Sequence, residues 1–255
     1  MCVWWKRAGY FPPSSRRPAI FPRSVLKTSP PTSQCFCTFS SIALRDFHSI
    51  GVSRHYEAHE ILLREGFPAD HFLIICGGRV KLTAASTEGR LLLLRVAGPG
   101  DILGLSALQE QALYRVTAQT LSPCTIKSIP RAEFVRFMES HTDVSRITAL
   151  ALAREYNSAV LTARRLALHT SAAGKLASTL LDLARVDELD SHPAHTNLPI
   201  SFLMPLTHED LGSMAGLSRE TVSRLLTRFR REGHVFQIHD RMTLNHPVQM
   251  ETRYC

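Results

Sequence analysis

Residues 205–233 constrain this chain more than any other stretch of their length. Thr207 stands where it can cap a short helix, and Asp210, three residues on, completes a capping box. Gly216 follows Ala215 at the point where a chain reversal needs a positive φ. Ser218 then caps a second helix that runs to about Arg231, and Gly233 ends it. Two helices joined by three or four residues containing a glycine have helix-turn-helix spacing. Beyond them, residues 235–238 and 242–244 flank His239-Asp240-Arg241 and predict a β-hairpin wing.

The second helix divides into two faces when turned at about 100° per residue. Arg219, Glu220, Ser223, Arg224, Thr227, Arg230 and Arg231 fall within an arc of about 140°. Val222, Leu225, Leu226 and Phe229 occupy a separate arc of about 100° almost opposite, suited to packing on Leu211 and Ala215. A guanidinium offers two donors in a fork that matches O6 and N7 of guanine, and a glutamate accepts from the amino group of cytosine. Arg228, Arg230 and Arg231 lie toward the C-terminal half, where phosphates are the expected partners. The candidate DNA-contacting residues are Ser218, Arg219, Glu220, Ser223, Arg224, Thr227 and Arg228, and the expected partner is double-stranded DNA. A merely solvated helix would require neither the caps, the turn glycine nor the wing.

The net charge of +8 does not carry this reading. Up to Arg45 the chain has seven basic residues and no acid, so the remainder is nearly balanced. Residues 1–40, rich in Pro, Ser and Arg and without apolar periodicity, predict a disordered basic extension. A targeting peptide or a start codon assigned too far upstream are the other readings of that stretch. Residues 71–76, 79–84, 90–96, 114–120 and 124–129 are short apolar runs separated by turns such as Gly77-Gly78 and Gly98-Pro99-Gly100. Their even spacing predicts a jelly-roll β domain over residues 41–141.

Residues 142–169 contain no Gly or Pro and predict one helix roughly 40 Å long, more than a small domain needs for its own core. Ile147, Leu150, Ala151, Leu161 and Leu168 are its candidate buried positions, although Arg154 and Arg165 interrupt a strict heptad. The helix either lies on the β domain or forms a seam between two chains, and the seam is the reading adopted. Residues 170–255 then form the DNA-binding domain. It opens with an amphipathic helix over 172–186, which places Leu176, Leu180, Leu183 and Ala184 on one face. A polar loop over 187–199 holds His192 and His195 without a third ligand nearby. The fold class is α+β: a jelly-roll, a long central helix and a winged helix-turn-helix. No apolar run approaches the ~18 residues of a membrane span. Six scattered cysteines argue for reduced thiols and a cytoplasmic location, with Cys76 and Cys124 expected as buried structural residues.

This arrangement, with Leu-Ser-Arg-Glu-Thr-Val-Ser-Arg at 217–224, resembles the Crp/Fnr superfamily of bacterial regulators over roughly residues 42–250. Three stretches of the β domain share the resemblance: Leu-Arg-Glu-Gly-Phe-Pro-Ala-Asp at 63–70, Gly-Arg-Val-Lys at 78–81 and Gly-Pro-Gly-Asp-Ile-Leu-Gly at 98–104. It implies a homodimer joined along the long helix, recognition helices in successive major grooves of a palindrome, and RNA polymerase as a further partner. Arg219, Glu220 and Arg224 match the base-contacting residues of the cyclic-AMP-responsive branch. Glu220, Ser223 and Arg224 match those of the Fnr branch. Half-sites containing TGA follow from both, in either a TGTGA or a TTGAT setting.

For the effector the resemblance implies a departure. Where cyclic-AMP-binding members carry a Glu after the cassette glycine and an Arg-Ser pair later in the roll, this chain has Leu105, Tyr114 and Arg115. The central-helix hydroxyls that would meet the adenine correspond to Val160 and Leu161. These five residues form the candidate effector pocket, in which the family's cyclic nucleotide is not expected. Nor is an Fnr-type iron–sulfur cluster expected. It needs four thiolates, and Cys35-Phe36-Cys37 with Cys124 depart from that pattern. No cofactor or metal is predicted. The alternative function is a cupin-like ligand or metal sensor, but His48, His55, His59 and His71 lack the required spacing. No nucleophile–base pair or phosphate loop points to an enzyme.

Overall fold

A computed structural model describes residues 39–188 and 198–255. The expected extension over residues 1–40 lies almost wholly outside them, as do Cys35, Cys37, His192 and His195. Helix α1 (Ser41–Ser49) leads into β1 (Val52–Tyr56), β2 (Ile61–Leu63), β3 (His71–Gly77), β4 (Val80–Ala85), β5 (Leu91–Ala97) and β6 (Ile102–Leu103). A 3-10 turn at Leu105–Leu108 precedes β7 (Thr117–Thr120) and β8 (Cys124–Pro130). Helices α2 (Arg131–Ser140) and α3 (Thr142–Leu168) follow. The C-terminal part comprises α4 (Ala172–Glu188), β9 (Ile200–Leu203), α5 (His208–Ala215), α6 (Arg219–Arg231), β10 (Val235–Ile238), β11 (Arg241–Leu244) and α7 (Pro247–Tyr254). The α+β class, with a β-roll, a long helix and a winged helix-turn-helix, is the one expected.

Two four-stranded antiparallel sheets build the roll, in the orders β1-β8-β3-β6 and β2-β7-β4-β5. Alternation along a strand aims every second residue inward, as where Val80 and Leu82 are buried between half-exposed Lys81 and Thr83. Ile74 and Ile126 of one sheet share a core with Val80, Leu82 and Ala118 of the other. Phe72 stacks on Phe134 of α2 at 4.1 Å between ring centroids, which seats that helix on the roll. Gly78 enters β4 at φ +87°, where a side chain would run into the Pro123 carbonyl and the Cys124 sulfur.

Three expectations need correction. Cys76 is exposed: the β3–β8 register slips between Ile75 and Gly77, leaving Cys76 at the bulge, while Cys124 is fully buried. The strand expected from residue 114 starts at Thr117, because the Tyr114 backbone exchanges hydrogen bonds with Gly66 and Phe67 rather than with a strand of the sheet. The five apolar positions chosen on the long helix lie within one arc of about 100°, but the roll covers only two of them. Ile147 and Ala151 pack into the roll's core, whereas Leu150, Leu161 and Leu168 are 48%, 48% and 65% exposed.

In the C-terminal part, Leu176, Leu180 and Ala184 of α4 are buried with Leu206, Leu211, Met214 and the apolar face of α6. The wing is a three-stranded sheet in the order β10-β11-β9. Its hairpin is tighter than the three-residue loop expected, because Arg241 pairs with Ile238. His239 takes φ +52° to make the two-residue turn.

Candidate nucleic-acid interface

The caps form as their chemistry requires. The Thr207 hydroxyl accepts from the Asp210 amide at 3.1 Å, and the Asp210 carboxylate accepts from the Thr207 amide at 3.1 Å. Gly216 ends α5 in the left-handed region (φ +67°), donating its amide to the Gly212 carbonyl. The Ser218 hydroxyl accepts from the Thr221 amide at 3.2 Å and starts α6.

Helix α6 buries Val222, Leu225, Leu226 and Phe229. Arg219, Glu220, Arg224, Thr227 and Arg228 are exposed along its other side, beside exposed Ser218 and half-buried Ser223. Ser223, Arg224, Thr227, Arg228 and Arg231 line an open depression of about 460 Å³. Four of the seven candidate contact residues thus border one depression, and the seven are not equally available. Arg224 has no hydrogen bond or ion pair among the described residues, so its guanidinium fork is free. The Ser223 hydroxyl lies 2.8 Å from Nδ1 of His208 on α5, and Thr227 donates its hydroxyl to the Ser223 carbonyl at 2.9 Å. Arg230 donates to the side-chain oxygen of Gln237 on the wing at 2.9 Å. Arg228 donates through Nε to Glu232 at 2.8 Å. The carboxyl of Glu220 is held below its usual range, first by its own backbone amide and then by the Ser218 hydroxyl, so it presents a charged acceptor.

Sequence reasoning overlooked the residues that seat this motif on the rest of the chain. Strand β5 is an edge of its sheet, and edge strands carry unpaired backbone groups. Ser213 of α5 covers that edge: its hydroxyl donates to the Leu91 carbonyl at 2.7 Å and accepts from the Leu93 amide at 2.9 Å. Leu93 is buried in the core of the helix-turn-helix domain rather than of its own roll. Lys81 of β4 reaches Asp210 at 2.8 Å. Burial opposes ionisation of Asp210, but hydrogen bonds from Lys81 and Thr207 outweigh it and hold the carboxyl below its usual range. Across the junction of α3 and α4, buried Arg165 pairs with Asp182 at 2.8 Å. Only the capping role of Asp210 was legible in advance. The remaining contacts join residues up to 129 apart in sequence.

The proposed effector positions differ in burial. Leu105 and Tyr114 belong to the roll's core, whereas Arg115, Val160 and Leu161 are exposed. The Tyr114 hydroxyl donates to the His71 carbonyl at 3.0 Å and accepts from the His71 amide at 3.1 Å. Its ring lies against Gly104, 3.3 Å from where a Cβ would stand. Among the described residues no three His, Cys, Asp or Glu side chains are grouped to hold a metal. No described helix is long and apolar enough to cross a membrane.

A β-roll joined by a long helix to a winged helix-turn-helix defines a two-domain transcription regulator. Residues 53–141 match the cyclic nucleotide-binding domain model, and residues 174–253 match the Crp-like helix-turn-helix domain model. The nitrogen fixation regulation protein FixK of Bradyrhizobium diazoefficiens is 29% identical over 225 residues, covering 86% of this chain and 89% of that protein. The cAMP-activated global transcriptional regulator CRP of Pasteurella multocida is 27% identical over 185 residues, 72% of this chain and 85% of that protein. The structure of FixK2 from Bradyrhizobium japonicum shares the fold, with a TM-score of 0.67 at 20% identity over 81% of this chain and 98% of that one. The chain belongs to the Crp/Fnr family and is a CRP/FixK-like transcription regulator with a DNA-binding helix-turn-helix domain.

Proposed function

We propose that the protein acts as a homodimer on palindromic DNA with TGA-containing half-sites, and that its β-roll does not take cyclic AMP through the family's contacts. The observation that carries the DNA reading is the division of α6, with four apolar side chains buried and the polar set open to solvent around an unpaired Arg224. Two such helices, one helical turn of DNA apart, would each enter a major groove. RNA polymerase is the further partner that the family resemblance suggests, and no enzymatic step is assigned.

The outer side of α3 supports the dimer. Ala149, Ala153, Tyr156, Val160, Ala163 and Ala167 are all exposed in the single chain and repeat at alternating spacings of four and three. That is a heptad seam, with alanines small enough to let two helices approach closely. It lies opposite the residues that α3 packs on the roll. Its neutral, largely apolar surface is left exposed by the described residues of the single chain. Val160→Glu, which sets two carboxylates against each other at the middle of the seam, is expected to weaken dimerisation by about tenfold or more in sedimentation velocity. An unchanged dimer would remove α3 from the interface.

The effector reading rests on Tyr114, which turns into the roll wall, and on the apolar Leu105. Neither supplies a cation for a cyclic phosphate or an acceptor for a ribose hydroxyl. The test is an anisotropy titration of a labelled duplex bearing inverted TGA half-sites, with and without cyclic AMP. Binding about a thousandfold tighter than to a scrambled duplex, and unaltered by cyclic AMP, is the expected result. Equal affinity for both duplexes would refute the DNA reading, and affinity dependent on cyclic AMP would refute the effector reading.

A further inference from the structure

The recognition helix carries an acid at its end that electrostatics alone would place elsewhere. Glu232 follows α6 directly, one turn from Arg228, beside the surface proposed to meet a polyanion. Its two oxygens are divided between separate partners. Oε1 accepts from Arg228 Nε at 2.8 Å, and Oε2 accepts from the hydroxyl of Tyr254 at the end of α7. The Tyr254 ring lies beneath the Arg228 guanidinium, 5.7 Å from centroid to Cζ, and against Phe229 at 4.9 Å between centroids. Arg253 adds a second cation 3.6 Å from Oε2. Because Arg228 is engaged through Nε, its two terminal nitrogens have no other hydrogen-bond partner among the described residues. They are the part of the fork that can grip a phosphate. Arg228 also lines the open depression beside Arg224.

We propose that Glu232 and Tyr254 are positioning residues for DNA binding: together they cradle Arg228 so that its terminal nitrogens are aimed at the DNA backbone. An unrestrained arginine loses rotamer freedom on being fixed, and the cradle incurs that loss before DNA arrives. This assigns the C-terminal helix a part in DNA binding through Tyr254. It also reverses the sign expected for an acid near DNA. Deleting a negative charge beside a polyanion should tighten binding through simple repulsion, whereas deleting a positioning residue weakens it. The inference rests on the DNA-reading face proposed above.

The test measures affinity for the TGA palindrome across a range of salt concentrations, for the full chain, for the Glu232→Ala, Glu232→Gln and Arg228→Ala variants, and for the double variant Glu232→Ala with Arg228→Ala. Glu232→Ala is expected to weaken binding by about threefold to tenfold. The slope of log affinity against log salt should become shallower by about 0.9 for each subunit, as one phosphate contact is lost. Arg228→Ala should reproduce both changes, and the double variant should lose no more than Arg228→Ala alone. Glu232→Gln retains an acceptor for Nε and should stay within about twofold of the wild type. Thermal melting of each variant separates these effects from loss of fold, and the Gln variant keeps the test intact should the Ala variant melt early. Binding by Glu232→Ala as tight as or tighter than wild type, or a loss additive with that of Arg228→Ala, would overturn the proposal. Failure of the wild-type protein itself to prefer the palindrome would instead overturn the DNA-reading face on which it rests.

Discussion

Phe229→Ala is expected to cost the DNA-binding domain about 3–5 kcal/mol. Phe229 has no exposed surface and is the largest side chain on the buried face of α6. It lies in one core with Leu211 and Met214 of α5, Met242 and Leu244 of the wing and Leu176 and Leu180 of α4, and its ring packs on Tyr254 of α7 at 4.9 Å between centroids. Truncation leaves a cavity that this many fixed neighbours cannot close, and the penalty grows with the residual volume. A domain of this size is stable by only about 5–15 kcal/mol, so much of the margin would be lost. Urea unfolding followed by circular dichroism should show a lower midpoint for the C-terminal transition at an unchanged slope. Phe236 on the outer face of the wing provides the contrast. It is 56% exposed, and Phe236→Ala should cost no more than about 0.5 kcal/mol. Equal losses for the two phenylalanines would contradict the assignment of the core.

Arg224→Ala is expected to act on binding without acting on the fold. Its guanidinium is exposed and has no hydrogen bond or ion pair among the described residues, so its removal should change stability by no more than about 0.5 kcal/mol. A bidentate contact to guanine contributes about 1–3 kcal/mol of discrimination. With one copy in each half-site, the palindrome should lose about 2–6 kcal/mol, or roughly thirtyfold to more than ten-thousandfold in affinity. The salt dependence should change little, since a base contact releases no phosphate counterion. Affinities for the palindrome and for a duplex with the guanine replaced, measured at one salt concentration, give the result. The wild type should distinguish the two duplexes and the variant should not.

The features visible in the sequence were those written in local chemistry. The capping box at Thr207, the turn at Gly216, the cap at Ser218 and the two faces of α6 each depend on residues within a few positions of one another. The β-roll was legible in outline, because alternation marks strands such as β4. Strands β1, β2, β6 and β9 were missed. They are short or lack alternation, and they are defined by partners distant in sequence, as β1 is by β8. The long helix was found by its composition, but how much of its apolar arc the roll covers was not. Ile147 and Ala151 pack on the roll while Leu150, Leu161 and Leu168 do not, and apolarity alone does not reveal which positions along one face the roll will cover. The same limit explains why Lys81, Ser213 and Glu232 went unnoticed. A lysine on a strand or a glutamate after a helix resembles any solvated residue until Asp210, Leu91 and Tyr254 are brought beside it.

The most direct test of base reading by α6 replaces one atom of DNA. A palindrome in which the guanine of each TGA half-site is 7-deazaguanine lacks the N7 acceptor of the arginine fork but keeps its pairing and backbone. Wild-type protein should bind this duplex several-fold to a hundredfold more weakly than the unmodified one, while Arg224→Ala should bind both alike. Equal affinity of the wild type for the two duplexes, or an equal loss in the variant, would show that Arg224 does not read that base.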